Sequence, residues 1–159
     1  MAGTQFWGFS HARASLFKGA SMILTTNGVS DIQVLETVKA FFLAVGFEKL
    51  TFTTAEEHDK IIAYTSQLAH VVSNAYVKSP TALQRKGFSA GSYRYMTRVA
   101  KLNVEMWTEL FLENSDNLSA ELGLLIENLQ QYQTALEQKD EEALRRLLED
   151  GKDTKRRAG

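Results

Sequence analysis

The stretch TTAEEHDKIIAYTSQLAHVVSNAYVKSP, residues 53–80, decides the fold class of this chain. A capping box opens it at Thr53 or Thr54, each of which has a glutamate three residues later, and the only proline of the chain, Pro80, closes it. Proline disfavours helix at the residue before it. Apolar residues lie nearly all round the segment between these signals, so the pattern predicts one long, mostly buried helix.

A stripe of polar residues runs along this predicted helix. Each residue of an α-helix advances by ~100° and ~1.5 Å, so Asp59 lies ~20° in azimuth and ~16 Å along the axis from His70. Ser66 and Ser73 lie close to the same line. Such a stripe indicates either satisfied hydrogen bonds inside a core or one wall of a wet cleft. A lone histidine is more often structural, so the helix alone leaves both interpretations open.

The segment before this helix predicts a β-α-β unit. SMILTT at residues 21–26 is typical of a short buried strand, and EKLTFTT is typical of a second one. Between them a helix begins with a capping box at Ser30 and Gln33 and stops at Gly46. Two strands alone make a poor sheet. We therefore expect residues 1–53 to be the last part of a larger α/β domain.

The segment after this helix is predicted to be helical too. QRKGFSAGSYRYM contains Gly87 and Gly91 and predicts a turn that leads into a helix near Thr97, which presents Arg98 and Trp107. Arginine holds a carboxylate with two parallel hydrogen bonds and keeps its charge at any working pH. An imidazole together with a guanidinium therefore suits an anionic substrate.

The clearest periodic signal is a heptad seam. Its members are Leu118, Leu122, Leu125, Leu129, Tyr132 and Leu136. The seam fits an intramolecular helix pair or a subunit interface, and both can hold if the helix has two apolar faces. A short last helix precedes a tail at residues 152–159 that we expect to be flexible. The predicted fold class is mainly α, with one all-helical domain over residues 54–151.

Composition excludes several classes of protein. The chain has 159 residues, enough for one full domain, and its net charge of -1 with dispersed basic residues argues against a nucleic-acid partner. It has no cysteine, three histidines and no HExxH pattern, so we expect no metal site. No apolar run approaches the ~20 residues of a membrane helix, and no signal peptide is evident. We expect a cytoplasmic protein.

Four blocks carry a resemblance to a known family. They are MAGT followed by LFKGASMIL, then EEHD, then SQLAH, then GSYRYMTRVAKLNVEMW with Asn114 beyond it. In this order and spacing the chain resembles the C-terminal part of prephenate dehydrogenase or of the related arogenate dehydrogenase. The resemblance implies that residues 1–53 are the remnant, the last strands and helix, of a nucleotide-binding α/β domain. It also implies a helical dimerisation domain like the C-terminal domain of 6-phosphogluconate dehydrogenase, and a homodimer.

The resemblance also implies an activity. In that family an NAD or NADP cofactor accepts hydride from prephenate or arogenate, and loss of carbon dioxide makes the ring aromatic, as a step of tyrosine biosynthesis. Four residues are implied to bind the substrate: His70, Arg98, Gly91 and Trp107. Three residues are implied to form a polar network over the entrance, in which Asp59 is able to pair with Arg98: His58, Asp59 and Gln5.

The chain departs from the family pattern in several places. The family's catalytic histidine belongs to a His-Pro-Met-Ala-Gly stretch that this chain enters at Met1, so we expect no catalytic base in it. The GxGxxG cofactor loop is also absent. Gln5 and Tyr95 stand where relatives often have carboxylates, and Ala69 stands where they often have proline. The leading hypothesis is the substrate-binding and dimerisation part of a prephenate dehydrogenase, inactive alone. The alternative is a non-catalytic helical dimerisation or regulatory module.

Overall fold

The computed structural model describes residues 8–26, 28–88 and 91–159, which fall into two compact units, Met1–Asn114 and Ser115–Gly159. In chain order the strands and helices are β1 Ser21–Thr25, α1 Ile32–Val45, β2 Lys49–Thr53, α2 Ala55–Ile62, α3 Leu68–Tyr76, α4 Gly91–Thr97, α5 Val104–Glu113, α6 Ser115–Gln138 and α7 Glu141–Ala158. The predicted class, mainly α with a β-α-β segment at the start, is confirmed.

The β-α-β segment forms where the sequence predicts it. Strands β1 and β2 pair in parallel, and α1 connects them. Helix α1 stops at Gly46, whose φ of 111° is a conformation that favours glycine. The predicted cap at Ser30 is wrong by one residue, because the Asp31 carboxylate accepts from the backbone N–H groups of Gln33 and Val34 at 2.9 and 3.4 Å.

The long helix over residues 53–80 begins as predicted but is not continuous. The Thr54 hydroxyl accepts from the Glu57 N–H at 3.1 Å, which selects the second of the two candidate caps. One π-helical turn, Ala63–Gln67, separates α2 from α3, and the Leu68 N–H donates across it to the Ala63 carbonyl. The extra residue in a π-turn rotates all later positions by about 100°. The predicted alignment of Asp59 with His70 on one face is therefore wrong.

The segment after α3 differs from its prediction at one boundary. Thr97 is the last residue of α4, and α5 begins after Asn103, whose side chain accepts from the Met106 N–H at 3.2 Å. Asparagine is among the strongest N-caps, so Asn103 was an available signal for a helix start here. Arg98 therefore lies in the turn between two helices, and it does not share a helix with Trp107.

The second unit is a pair of helices, α6 and α7. The Asp140 side chain caps α7 by accepting from the Ala143 N–H at 2.9 Å, and the Tyr132 hydroxyl of the heptad seam donates to the Leu147 carbonyl at 3.1 Å. The expected flexible tail is helical to Ala158. Acidic residues in the first turn of α7 and basic residues in its last turn complement the helix dipole, which explains the longer helix.

Within the described residues no helix is both long and apolar enough to cross a membrane.

Candidate functional site

His70 and Trp107 form the centre of the candidate site. The imidazole of α3 stacks on the indole of α5, with ring centroids 3.7 Å apart and planes inclined by 27°. The Nδ1 atom of His70 lies 2.8 Å from the carbonyl oxygen of Ser66. A carbonyl oxygen only accepts hydrogen bonds, so Nδ1 carries the proton. In the neutral ring, Nε2 therefore has no proton, and its lone pair is able to accept a hydrogen bond from a ligand.

Trp107 is itself supported by a second ring on the same helix. Phe111, four residues later on α5, has its ring centroid 5.3 Å from that of Trp107. Residues four apart lie on one face of a helix, so these two rings form an aromatic surface on α5. The imidazole of His70 rests on this surface, which restricts the directions in which its free nitrogen can point.

Two side-chain amides connect the π-turn before α3 with α5 and with the end of α2. Gln67, which is 5% exposed, donates from Nε2 to the Leu110 carbonyl at 2.8 Å. Asn114 donates from Nδ2 to Gln67 Oε1 at 2.8 Å and to the Asp59 carbonyl at 2.8 Å. Neither amide was predicted to have a role. For Gln67 the available signal was an uncharged amide beside an apolar run, since a buried amide requires hydrogen-bond partners, whereas Asn114 lies in the polar stretch ENSDN and gives no such signal.

Arg98 and Gly91 lie at opposite ends of the short helix α4. Gly91 is its first residue, and Arg98 follows its last residue with an exposed side chain. Among the described residues Arg98 forms no ion pair. Helix α4 packs against α3, where the rings of Tyr76 and Tyr93 have centroids 6.1 Å apart. The structure thus places Arg98 next to a helix that packs against α3.

The predicted entrance network is only partly described. The His58 Nδ1 and Asp59 Oδ1 atoms are 2.9 Å apart on the exposed side of α2. Asp59 therefore pairs with its neighbour and, within the described part of the chain, not with Arg98. Gln5 lies outside the described residues. The described residues contain no group of three or more histidine or carboxylate side chains able to hold a metal ion.

The amino-acid sequence is similar to that of known dehydrogenases. The family model "Prephenate dehydrogenase, dimerization domain" matches residues 54–150. A cyclohexadienyl dehydrogenase of Zymomonas mobilis is 30% identical over 146 residues, which are 88% of this chain and 50% of that protein. A prephenate dehydrogenase of Bacillus subtilis is 29% identical, over 96% of this chain and 42% of its own length.

A solved structure shows the same fold. The prephenate dehydrogenase of Aquifex aeolicus, in complex with hydroxyphenyl propionate and NAD+, superposes with a TM-score of 0.82 at 26% identity. The match covers 100% of this chain and 57% of that one. This chain spans about half the length of the curated relatives it matches.

Proposed function

The chain belongs to the prephenate dehydrogenase family, and we propose that it is the substrate-binding and dimerisation part of an NAD(P)-dependent enzyme that converts prephenate to 4-hydroxyphenylpyruvate by oxidative decarboxylation. The observation that carries the proposal is the imidazole of His70, held between the Ser66 carbonyl and the Trp107 ring. An imidazole held at one nitrogen and one face offers its other nitrogen to a ligand in a defined direction.

His70 and Arg98 divide the recognition of a dianionic substrate. The Nε2 atom of neutral His70 accepts a hydrogen bond from a hydroxyl group, and the protonated ring donates one to a carboxylate. The Arg98 guanidinium is exposed and unpaired within the described residues, so a carboxylate does not have to displace a protein partner from it. Trp107 lines the site beneath the imidazole, and Gly91 allows close approach of a substrate to the backbone.

Among the described residues, the N-terminus of α1, the helix of the β-α-β segment, does not fit the phosphates of a dinucleotide. In dinucleotide-binding folds the backbone N–H groups at a helix N-terminus bind the pyrophosphate after a Gly-rich loop. At the start of α1 the Asp31 carboxylate already accepts two of these N–H groups, and its negative charge opposes a phosphate. The cofactor would accept the hydride while bound to a nucleotide-binding part other than these residues, and we expect the chain alone to lack turnover.

Isothermal titration calorimetry with prephenate tests the proposal. We expect saturable binding to the wild-type chain, and about 30-fold weaker binding to Arg98→Ala, because hydrogen bonds to charged groups contribute ~2 kcal/mol. Arg94→Ala is the matched control, since it removes an exposed guanidinium from α4, four residues before Arg98, and keeps Arg98. Equal losses in both variants would show a general charge effect and contradict the assignment of Arg98.

A second candidate function is a non-catalytic dimerisation or regulatory module of the same family. The observation that favours it is a set of exposed apolar side chains on α6: Leu124, Ile126, Leu129 and Leu136. Such a surface suits assembly and does not require a substrate. This module would be a dimer that does not bind prephenate. The absence of a calorimetric signal with the folded wild-type chain would therefore favour this function over the first.

A further inference from the structure

We propose that Gln67 and Asn114 are positioning residues, which hold the π-turn and α5 so that His70 keeps one tautomer and one ring orientation. The value of this arrangement for substrate binding rests on the function proposed above. The arrangement itself does not, because it is a property of the chain without ligand.

Asn114 holds the two ends of the π-turn together. The side-chain amide of asparagine has two N–H donors, and here both are used on different acceptors. One acceptor is the Asp59 carbonyl, which also receives the Ala63 N–H at the start of the turn. The other is Oε1 of Gln67, the last residue of the turn. The widened turn is thus bridged from one side to the other by a single amide group.

Gln67 connects this turn to the helix that carries the stacked indole. Its Nε2 atom donates to the carbonyl of Leu110, three residues after Trp107 on α5. Gln67 also directly follows Ser66, whose carbonyl accepts from His70 Nδ1. The same network therefore constrains both groups that hold the imidazole, namely the carbonyl at its edge and the indole against its face.

The network requires neutral amides at both positions. Aspartate has the shape of asparagine but, when ionised, only accepts hydrogen bonds. In Asn114→Asp the carboxylate would face the Gln67 Oε1 and Asp59 carbonyl oxygens without a proton between them. Gln67→Met keeps the volume of the buried side chain and removes both polar atoms, so it breaks the network while conserving the packing.

Nitrogen NMR of the isotope-labelled full chain reads the tautomer of each histidine directly. At a pH where the imidazole is neutral, we expect wild-type His70 to show a protonated Nδ1 and an unprotonated Nε2. A His70→Gln variant, which lacks the signal, assigns it to this residue. Both Asn114→Asp and Gln67→Met are expected to give a mixture of tautomers. Asn128→Asp is the matched control, because it adds the same charge on the exposed surface of α6 and should leave the His70 signals unchanged.

Calorimetry on the same proteins separates this inference from the proposed function. If the wild-type chain binds prephenate, we expect about tenfold weaker binding in both network variants, the effect of losing one well-oriented hydrogen bond. If the wild-type chain does not bind prephenate but the tautomer still shifts in both variants, the positioning role stands and the proposed function fails.

Three results would overturn the positioning role. One is an unchanged His70 tautomer in both network variants. Another is an equal change in Asn128→Asp. The third is a loss of helix content by circular dichroism in both network variants, because the amides would then support the whole unit and not the imidazole in particular.

Discussion

Ser73 on α3 has an unusual environment for a hydroxyl group. It is 2% exposed, and its Oγ atom has no hydrogen-bond partner among the described residues. Burial of a hydroxyl without a partner costs roughly 1–3 kcal/mol by mutational measurements. The serine therefore lowers the stability of the first unit, and the sequence pattern, which grouped it with the polar stripe of the long helix, does not reveal this cost.

Replacement of Ser73 by alanine should raise the free energy of unfolding. We expect Ser73→Ala to add about 1 kcal/mol beyond the gain of Ser119→Ala, an exposed control on α6 that reports only the ~0.5 kcal/mol difference in helix propensity. Denaturant unfolding followed by circular dichroism measures both. A gain at Ser73 no larger than at Ser119 would mean that the buried hydroxyl has a partner in solution.

At the scale of single residues, the sequence identified His70 but not the reason for its orientation. The imidazole stood out because histidines are few and this one lies in an apolar segment. Its acceptor at Ser66 is a main-chain atom, which no side-chain pattern shows. Gln67 and Asn114 are 47 positions apart in the sequence, so their hydrogen bond forms only when the end of α5 packs against the π-turn.

Glycine acts in opposite ways in two elements of this chain. Gly46 ends α1 with a φ of 111°, whereas Gly151 lies inside α7 without a positive φ. Glycine is favourable at a left-handed helix end and unfavourable in a helix interior. A glycine near the end of a helical pattern usually predicts the end of the helix, which explains why the last helix was predicted to end near Gly151.

Alanine substitutions at these two glycines should change stability in opposite directions. We expect Gly46→Ala to lower the free energy of unfolding by ~1–2 kcal/mol, because a side chain is strained at this φ. Gly151→Ala should raise the helix content and stability of α7 by ~1 kcal/mol, since the nearest atom to the added Cβ is 3.9 Å away. Thermal unfolding of both variants measures the difference. Destabilisation by Gly151→Ala would contradict a helical end of the chain in solution.

The described part of the chain buries few large apolar side chains. The buried apolar residues are Ala20, Phe47, Ala63, Leu68, Leu118 and Ala135, and three of these are alanines. In contrast, two members of the heptad seam, Leu129 and Leu136, are 58% and 62% exposed. Large exposed apolar surfaces mark sites of association. The seam thus contacts α7 at Tyr132 and leaves other members available to a second copy.

Self-association is therefore expected to depend on α6. Sedimentation of the wild-type chain should give a dimer at micromolar concentration, and Leu129→Glu should give a monomer, because a charge buried in an apolar interface costs several kcal/mol. Asn128→Asp, one residue away, adds the same charge at an exposed polar position and should remain a dimer. A dimer of unchanged strength in Leu129→Glu would exclude this face of α6 as the interface.

Local chemistry explains what the sequence determined by itself. The strand positions, the start of the long helix, the helix ends at Gly46 and before Pro80, the mainly helical class and the family all follow from periodicity, capping residues and short motifs. These signals act over a few neighbouring positions. The tertiary structure decided the rest. The π-turn, the His70–Trp107 stack and the Gln67–Asn114 bridge arise because packing joins distant segments, whose preferred partners are not encoded by local spacing.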